Sequence, residues 1–209
     1  MNISLRDRAI FYARDVYNFF RYGLGAPRSA ELIWVCPQDI HTVLKRGVIR
    51  HPRWATGKVM DGDWDLHVAS VEKYPKYKVC INRYVYGLDW ESAGALDIMC
   101  EAINGQYVRD GCQNLQDVIR RYQLLDELYT GLQNGGRFKT MPELWGKQAF
   151  RECMGVYVHI NRRCEPVFGG GGWHRLAIAR ILQLDVIPAQ LGVIHDQAVK
   201  TWKSMFKTF

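Results

Sequence analysis

The chain has 209 residues, of which 48% are hydrophobic and 23% charged, with a formal net charge of +7. That mix belongs to a globular protein long enough to bury a full core, and it excludes collagen-like repeats and long disorder. No apolar run reaches the roughly 20 residues of a spanning helix, and Arg6, Asp7, Arg8, Arg14 and Asp15 interrupt any signal-peptide core.

The charge is unevenly placed: residues 1–60 carry +6 and the rest +1. A basic segment of this kind attracts nucleic acid or an acidic membrane surface, or is a solvated face kept basic for solubility. Within it, residues 4–22 read as an amphipathic helix, capped by Ser4 and ended by Gly23. Leu5, Ala9, Val16 and Phe20 share one face. Such a helix docks on a core or lies on a membrane. Gly25-Ala26-Pro27 closes this N-terminal part, which we take as residues 1–29.

Ala30 to Cys36 predicts a buried strand stopped by Pro37, followed by a short helix over 39–46. Residues 47–65 read as loop, and 66–87 fit either strand or helix. Helices are expected over 90–103 and 113–133, the second closed by Asn134-Gly135-Gly136. Met154 to Ile160 alternates as a strand, and a polar turn at 161–165 leads to a second short strand, Pro166 to Phe168. After Gly169–Gly172 comes an amphipathic helix, Leu176 to Leu184, then a strand from Val186 to Val193 and a helical segment over 196–208. The six cysteines form no C-x-x-C pair and are read as reduced thiols in the cytoplasm. His159 falls on a strand as a structural histidine, and His195 falls at a sheet edge.

Strand, glycine turn, helix builds an anion site. The helix start presents unpaired N–H groups and a partial positive charge, and glycines let a backbone approach an oxygen closely. Gly170, Gly171, Gly172 and Trp173 lead into His174 and Arg175, where an arginine fork can hold phosphate. A cation in the first turn opposes the helix dipole, which hints at a bound anion. The G-K-[ST] of a Walker loop and the G-x-G-x-x-G of a dinucleotide site are both absent.

Phe168-Gly169-Gly170-Gly171-Gly172-Trp173-His174-Arg175-Leu176, followed by Ala177, Leu182 and Ile187-Pro188-Ala189, resembles the superfamily of the ParB N-terminal domain and sulfiredoxin. The resemblance covers residues 154–195 well and 30–46 weakly. It implies a compact α/β (α+β) fold with a mixed sheet over residues 30–209, interrupted by a largely helical insertion at 47–150. It also implies a turn that binds nucleotide phosphates through Gly172, His174 and Arg175. The superfamily includes CTP-binding partition proteins, ATP-using sulfiredoxins and free serine kinases. Trp173 stands where sulfiredoxin chemistry needs a cysteine, which argues against sulfinic-acid reduction. Only about fifteen residues follow the last expected strand, too few for the helix-turn-helix domain of a partition protein.

Asp61-Gly62-Asp63-Trp64-Asp65 places carboxylates on alternate residues, which in an extended segment would point the same way. Like charges so close call for a cation or a basic group between them. Mg²⁺ shared with nucleotide phosphates would make Asp63 and Asp65 metal ligands, and one Asp could serve as the base for an acceptor hydroxyl. The alternative is an Asx-rich turn neutralised by Lys58 and the Arg50–Arg53 run. Together with the resemblance, these residues lead to an expected nucleotide-dependent phosphotransferase acting on a small molecule or saccharide. Its candidate catalytic residues are Asp61, Asp63, Asp65 and His174, and its cofactors ATP, ADP or CTP with Mg²⁺. A non-catalytic nucleotide sensor or nucleic-acid-binding module is the alternative. The expected place is the cytoplasm, with the membrane surface as a second location.

Overall fold

A computed structural model describes residues 3–49, 52–104 and 111–206. The chain forms an α/β fold that divides into two compact units. The first comprises Met1–Val71, Phe138–Gly172 and Leu184–Phe209, and the second Glu72–Arg137 and Trp173–Gln183.

Among the described residues the first unit holds a seven-stranded mixed sheet. Its strands are β1 (Leu32–Val35), β2 (Thr42–Leu44), β3 (Val59–Met60), β4 (Val68–Ser70), β5 (Val156–Ile160), β6 (Pro166–Phe168) and β7 (Ile187–His195). They run in the order β1-β7-β5-β6-β2-β4, with β3 also on β7. β7 is the hub. β5 lies parallel along one edge, and the other edge takes antiparallel β1 at Ile187 to Gln190 and parallel β3 at Ile194 and His195. All nine residues of β7 and all five of β5 are buried, as expected of hydrophobic central strands.

The register between β5 and β7 slips after Val158, which pairs with Leu191 while Ile160 pairs with Ile194. The bulge takes the Val193 N–H out of the ladder, and His159 Nδ1 accepts it at 2.9 Å. That places the neutral ring's proton on Nε2.

Helix α1 (Leu5–Tyr22) matches its expected span, with Ser4 as cap and Gly23 as stop. It docks by its less apolar side. Phe11 joins Ala30 and Phe150 in a buried cluster, and Asn18 Nδ2 donates to the carbonyls of Pro27 and Gly57.

Three expectations are corrected. The helix over 39–46 is instead a 3₁₀ turn, Pro37–Asp39, followed by β2, because Val43 finds sheet partners in Phe168 and Ala69. Residues 59–70 supply β3 and β4 to the sheet, so the helical segment begins at 72 and not at 47. The terminal helical segment shortens to a four-residue helix, Trp202–Met205, anchored by the wholly buried Trp202, whose Nε1 donates to the Gly25 carbonyl. Residues 207–209 lie outside the described residues.

The second unit contains α2 (Pro75–Tyr84), α3 (Ala95–Asn104), α4 (Leu115–Gln133) and α6 (Trp173–Ile181). Between α4 and α6 in the chain comes α5 (Met141–Trp145), which belongs to the first unit. Val79, Ala95, Met99, Val118 and Tyr122 form the second unit's core. Arg83 closes it with a fork on Asp126, at 3.1 and 2.8 Å. Cys36, Cys80, Cys112, Cys153 and Cys164 are free thiols, and burial pushes Cys80 up to about 12.

Candidate functional site

The acidic loop is not an extended segment. Gly62 turns with φ +77°, and Trp64–Leu66 is a 3₁₀ turn, so the extended alternation is broken at both residues that would have carried it. Asp63 and Asp65 converge on one arginine, and Asp61 lines a cavity that neither of them lines. Asp65 is buried, its side chain 2% exposed, and it faces Arg162 from the turn between β5 and β6. It accepts from the Arg162 backbone N–H at 3.0 Å, from Nε at 2.9 Å and from Nη2 at 2.7 Å. Asp63, largely exposed, accepts from the same Nη2 at 2.8 Å, and the Gly62 carbonyl accepts from it at 3.0 Å. Burial pushes the Asp65 carboxyl up, but the hydrogen bonds from Arg162 outweigh it and hold the group below the usual carboxylate range.

The cation called for by this cluster is therefore a guanidinium. Asp63 and Asp65 do not fit a resident Mg²⁺, because Arg162 bridges the oxygens that would ligate it. Among the described residues no group of three or more His, Cys, Asp or Glu stands together as a metal set. Of the expected neutralising residues, Arg50 and His51 lie outside the described residues. Lys58 lines an open cavity of about 400 Å³ with Asp61, Arg14, Arg21 and Asp196. Arg162 itself was not a sequence candidate. The only signal was a pair of arginines in a polar turn, 97 residues from its partner.

The loop is also held from the sheet side. His195 Nε2 lies 2.9 Å from the Gly62 carbonyl, and Trp64 stacks on His195 and sets its edge against His159. Both histidines expected at the sheet are thus structural partners of this loop.

The glycine turn is tied to β5. The Gly169 N–H donates to the Tyr157 carbonyl at 2.7 Å, and the Tyr157 N–H donates to the Gly171 carbonyl at 3.0 Å. Gly169 must be glycine by proximity, since a Cβ there would come within 2.4 Å of the Tyr157 ring and 2.8 Å of His159 Nε2. Gly172 must be glycine on two counts, a φ of +86° and a Cβ position 3.0 Å from Val156 Cα. Gly170, also at φ +86°, is exposed and faces open space.

The chain passes to the second unit between Gly172 and Trp173. There α6 starts at Trp173, three residues earlier than expected, and its first turn holds no acidic residue. Trp173 stacks on Tyr74, ring centroids 4.7 Å apart and 23° between planes, so one face of its indole is taken. His174 is buried edge-on to Tyr122, while Arg175 is half-buried. Of the pair, Arg175 is the better placed to meet a ligand. Farther along α6, Arg180 crosses the Tyr77 ring and reaches Glu72 at 3.4 Å.

No family model, curated protein or solved structure matches this chain.

Proposed function

We propose that this protein binds a phosphorylated ligand, a nucleoside di- or triphosphate such as ATP, ADP or CTP, at the start of α6, with Trp173, His174 and Arg175. The observation that carries the reading is the start of α6: a nine-residue helix with no carboxylate in its first turn, entered from a glycine at φ +86° and bearing Arg175. The positive end of the helix dipole favours an anion there. Arg175 adds a charge-assisted fork, and the resemblance to the ParB and sulfiredoxin superfamily points the same way. His174, being buried, supports the helix start from behind.

Calorimetry with ATP, ADP, CTP and inorganic phosphate tests the reading. Arg175→Ala should weaken the ligand that binds by roughly ten- to hundredfold. No binding by any of the four, or equal affinity in the variant, would overturn it.

Transfer of the phosphoryl group to a small-molecule or saccharide hydroxyl is the second reading. The observation in its favour is Asp61, an exposed carboxylate on the rim of a cavity shared with Lys58 and Arg14. Asp61 would act as the base there. Single-turnover kinetics on Asp61→Asn decide it: loss of turnover with retained nucleotide affinity supports transfer, and an unchanged rate removes it.

A further inference from the structure

The apolar stripe of α1 faces away from the body it is docked on. The buried residues of this helix are Phe11 and Asn18. The residues that recur along the opposite side, Leu5, Ala9, Ala13, Val16 and Phe20, are all exposed, Leu5 by 85% and Phe20 by 82%. Leu24, just beyond the helix, continues the stripe at 91% exposed, and Tyr12, Tyr17 and Phe19 flank it. The helical rise from Leu5 to Phe20 makes this an apolar strip roughly 22 Å long. Contiguous exposed apolar surface of this kind marks an interaction site.

The charges say what covers it. The two carboxylates of α1 are engaged locally: Asp7 with Ser4, and Asp15 with Arg151 and the Ser29 N–H. Two arginines are turned inward, Arg8 over the Phe150 ring and Arg14 onto the Thr56 carbonyl. The charged residues left exposed on the helix are Arg6 and Arg21, one near each end. A second copy seated antiparallel on this face would bring Arg6 against Arg21 of its mate, with no exposed acid on either helix to separate them. An anionic surface meets both cations at once. Aromatic rings beside an aliphatic stripe, with arginines at the rim, are the composition of a helix lying in a lipid headgroup layer.

We propose that α1 binds the surface of an anionic lipid bilayer, lying in its plane with Leu5, Val16, Phe20 and Leu24 inserted and Arg6 and Arg21 on the lipid phosphates. Among the described residues no helix is long and apolar enough to cross a membrane, so the attachment is peripheral.

The test is co-sedimentation of the full chain with vesicles of phosphatidylcholine alone and of phosphatidylcholine with one third phosphatidylserine, at low and high salt. The wild type should pellet with the anionic vesicles, less so at high salt. Val16→Glu combined with Phe20→Glu should weaken this by at least about tenfold, with an unchanged melt because both positions are exposed. Arg6→Glu combined with Arg21→Glu should weaken it by roughly fivefold per site and keeps the proposal testable should the first pair misfold. Absence of anionic-vesicle binding, or equal binding by both variants, would overturn the proposal. So would a wild-type dimer that Val16→Glu with Phe20→Glu converts to monomer without any lipid binding, or binding to soluble polyglutamate in place of vesicles.

Discussion

Arg162 joins two segments of chain that have nothing else in common in sequence. Its guanidinium and its own backbone N–H both end on Asp65. Asp65→Ala should therefore leave the Arg162 N–H without its acceptor and cost about 1–3 kcal/mol, read as a lower urea midpoint. Asp63→Asn, at an exposed position, should change stability by no more than about 0.5 kcal/mol. Equal effects of the two would contradict the arrangement. Asp65 was legible as an unusual residue, because three alternating acids demand compensation. Its partner was not legible, because compensation across 97 residues leaves no trace in local spacing. His159 carries a second residue-scale consequence. Fully buried, it is pushed down to about 3 from the ordinary 6.5, with desolvation as the cause. As pH falls below 6.5 the unfolded chain takes up a proton that the native state refuses until pH is near 3. Stability contributed by this site is thus complete above 6.5 and declines between those values, by about 2 kcal/mol from pH 7 to pH 5. Urea titrations at the two pH values check this, and His159→Gln, which keeps an acceptor for the Val193 N–H, should flatten the difference.

At the scale of elements, strands that form long apolar runs were readable and short ones were not. β1, β5 and β7 appear within two residues of their expected limits because runs such as LIWV and VYVHI have few other ways to be buried. β2 was misread as helix because three residues, Thr42–Leu44, carry too little pattern to outweigh their neighbours, and the sheet decided the matter from outside. Helix α5 carries a signal that is one of capping and not of period: Thr140 and Glu143 form a capping box around Pro142. Thr140→Ala should cost about 1 kcal/mol by thermal melt. The glycine turn was legible as a turn but not as a pair of steric requirements. Gly172→Ala would place its Cβ against the backbone of Val156 in a backbone conformation alanine resists. It should lower stability by at least about 1 kcal/mol, whereas Gly25→Ala, with open space around it and no positive φ, should be nearly silent. Trp202 closes the first unit from the other end of the sequence. Its replacement by Ala should cost about 3–5 kcal/mol, the largest single loss anticipated here.

Across the whole molecule, the α/β class was expected from the resemblance, and helices in the middle of the chain were readable from the residues themselves. The division into units was not. The second unit recruits α6 from beyond the strand pair, so its helices come from two stretches of chain separated by α5, β5 and β6. Packing of α6 on α2 is a long-range event that composition along the chain cannot signal. The same scale sets the pattern of protection. β7 is hydrogen-bonded along both edges at Ala189 and Gln190, to β1 and β5. Their amides should exchange with deuterium more slowly than those of β4, whose only neighbour in the strand order, among the described residues, is β2. Mass spectrometry of peptic fragments would read this directly.

The position of β7 also governs how the protein can be made. A ribosome releases β1 first and β7 more than 150 residues later, which at ordinary elongation rates is a wait of about 10–30 s. Throughout that interval Leu32–Val35 has no antiparallel mate, and β5, made late in it, has no parallel one, whereas α2, α3 and α4 have one another before β5 is made. Vectorial synthesis therefore delivers a nascent chain whose helical region can settle while its sheet is still a set of unpaired apolar strands. Holdase binding during that interval should concentrate on the segments around β1 and β5 and end when β7 clears the exit tunnel.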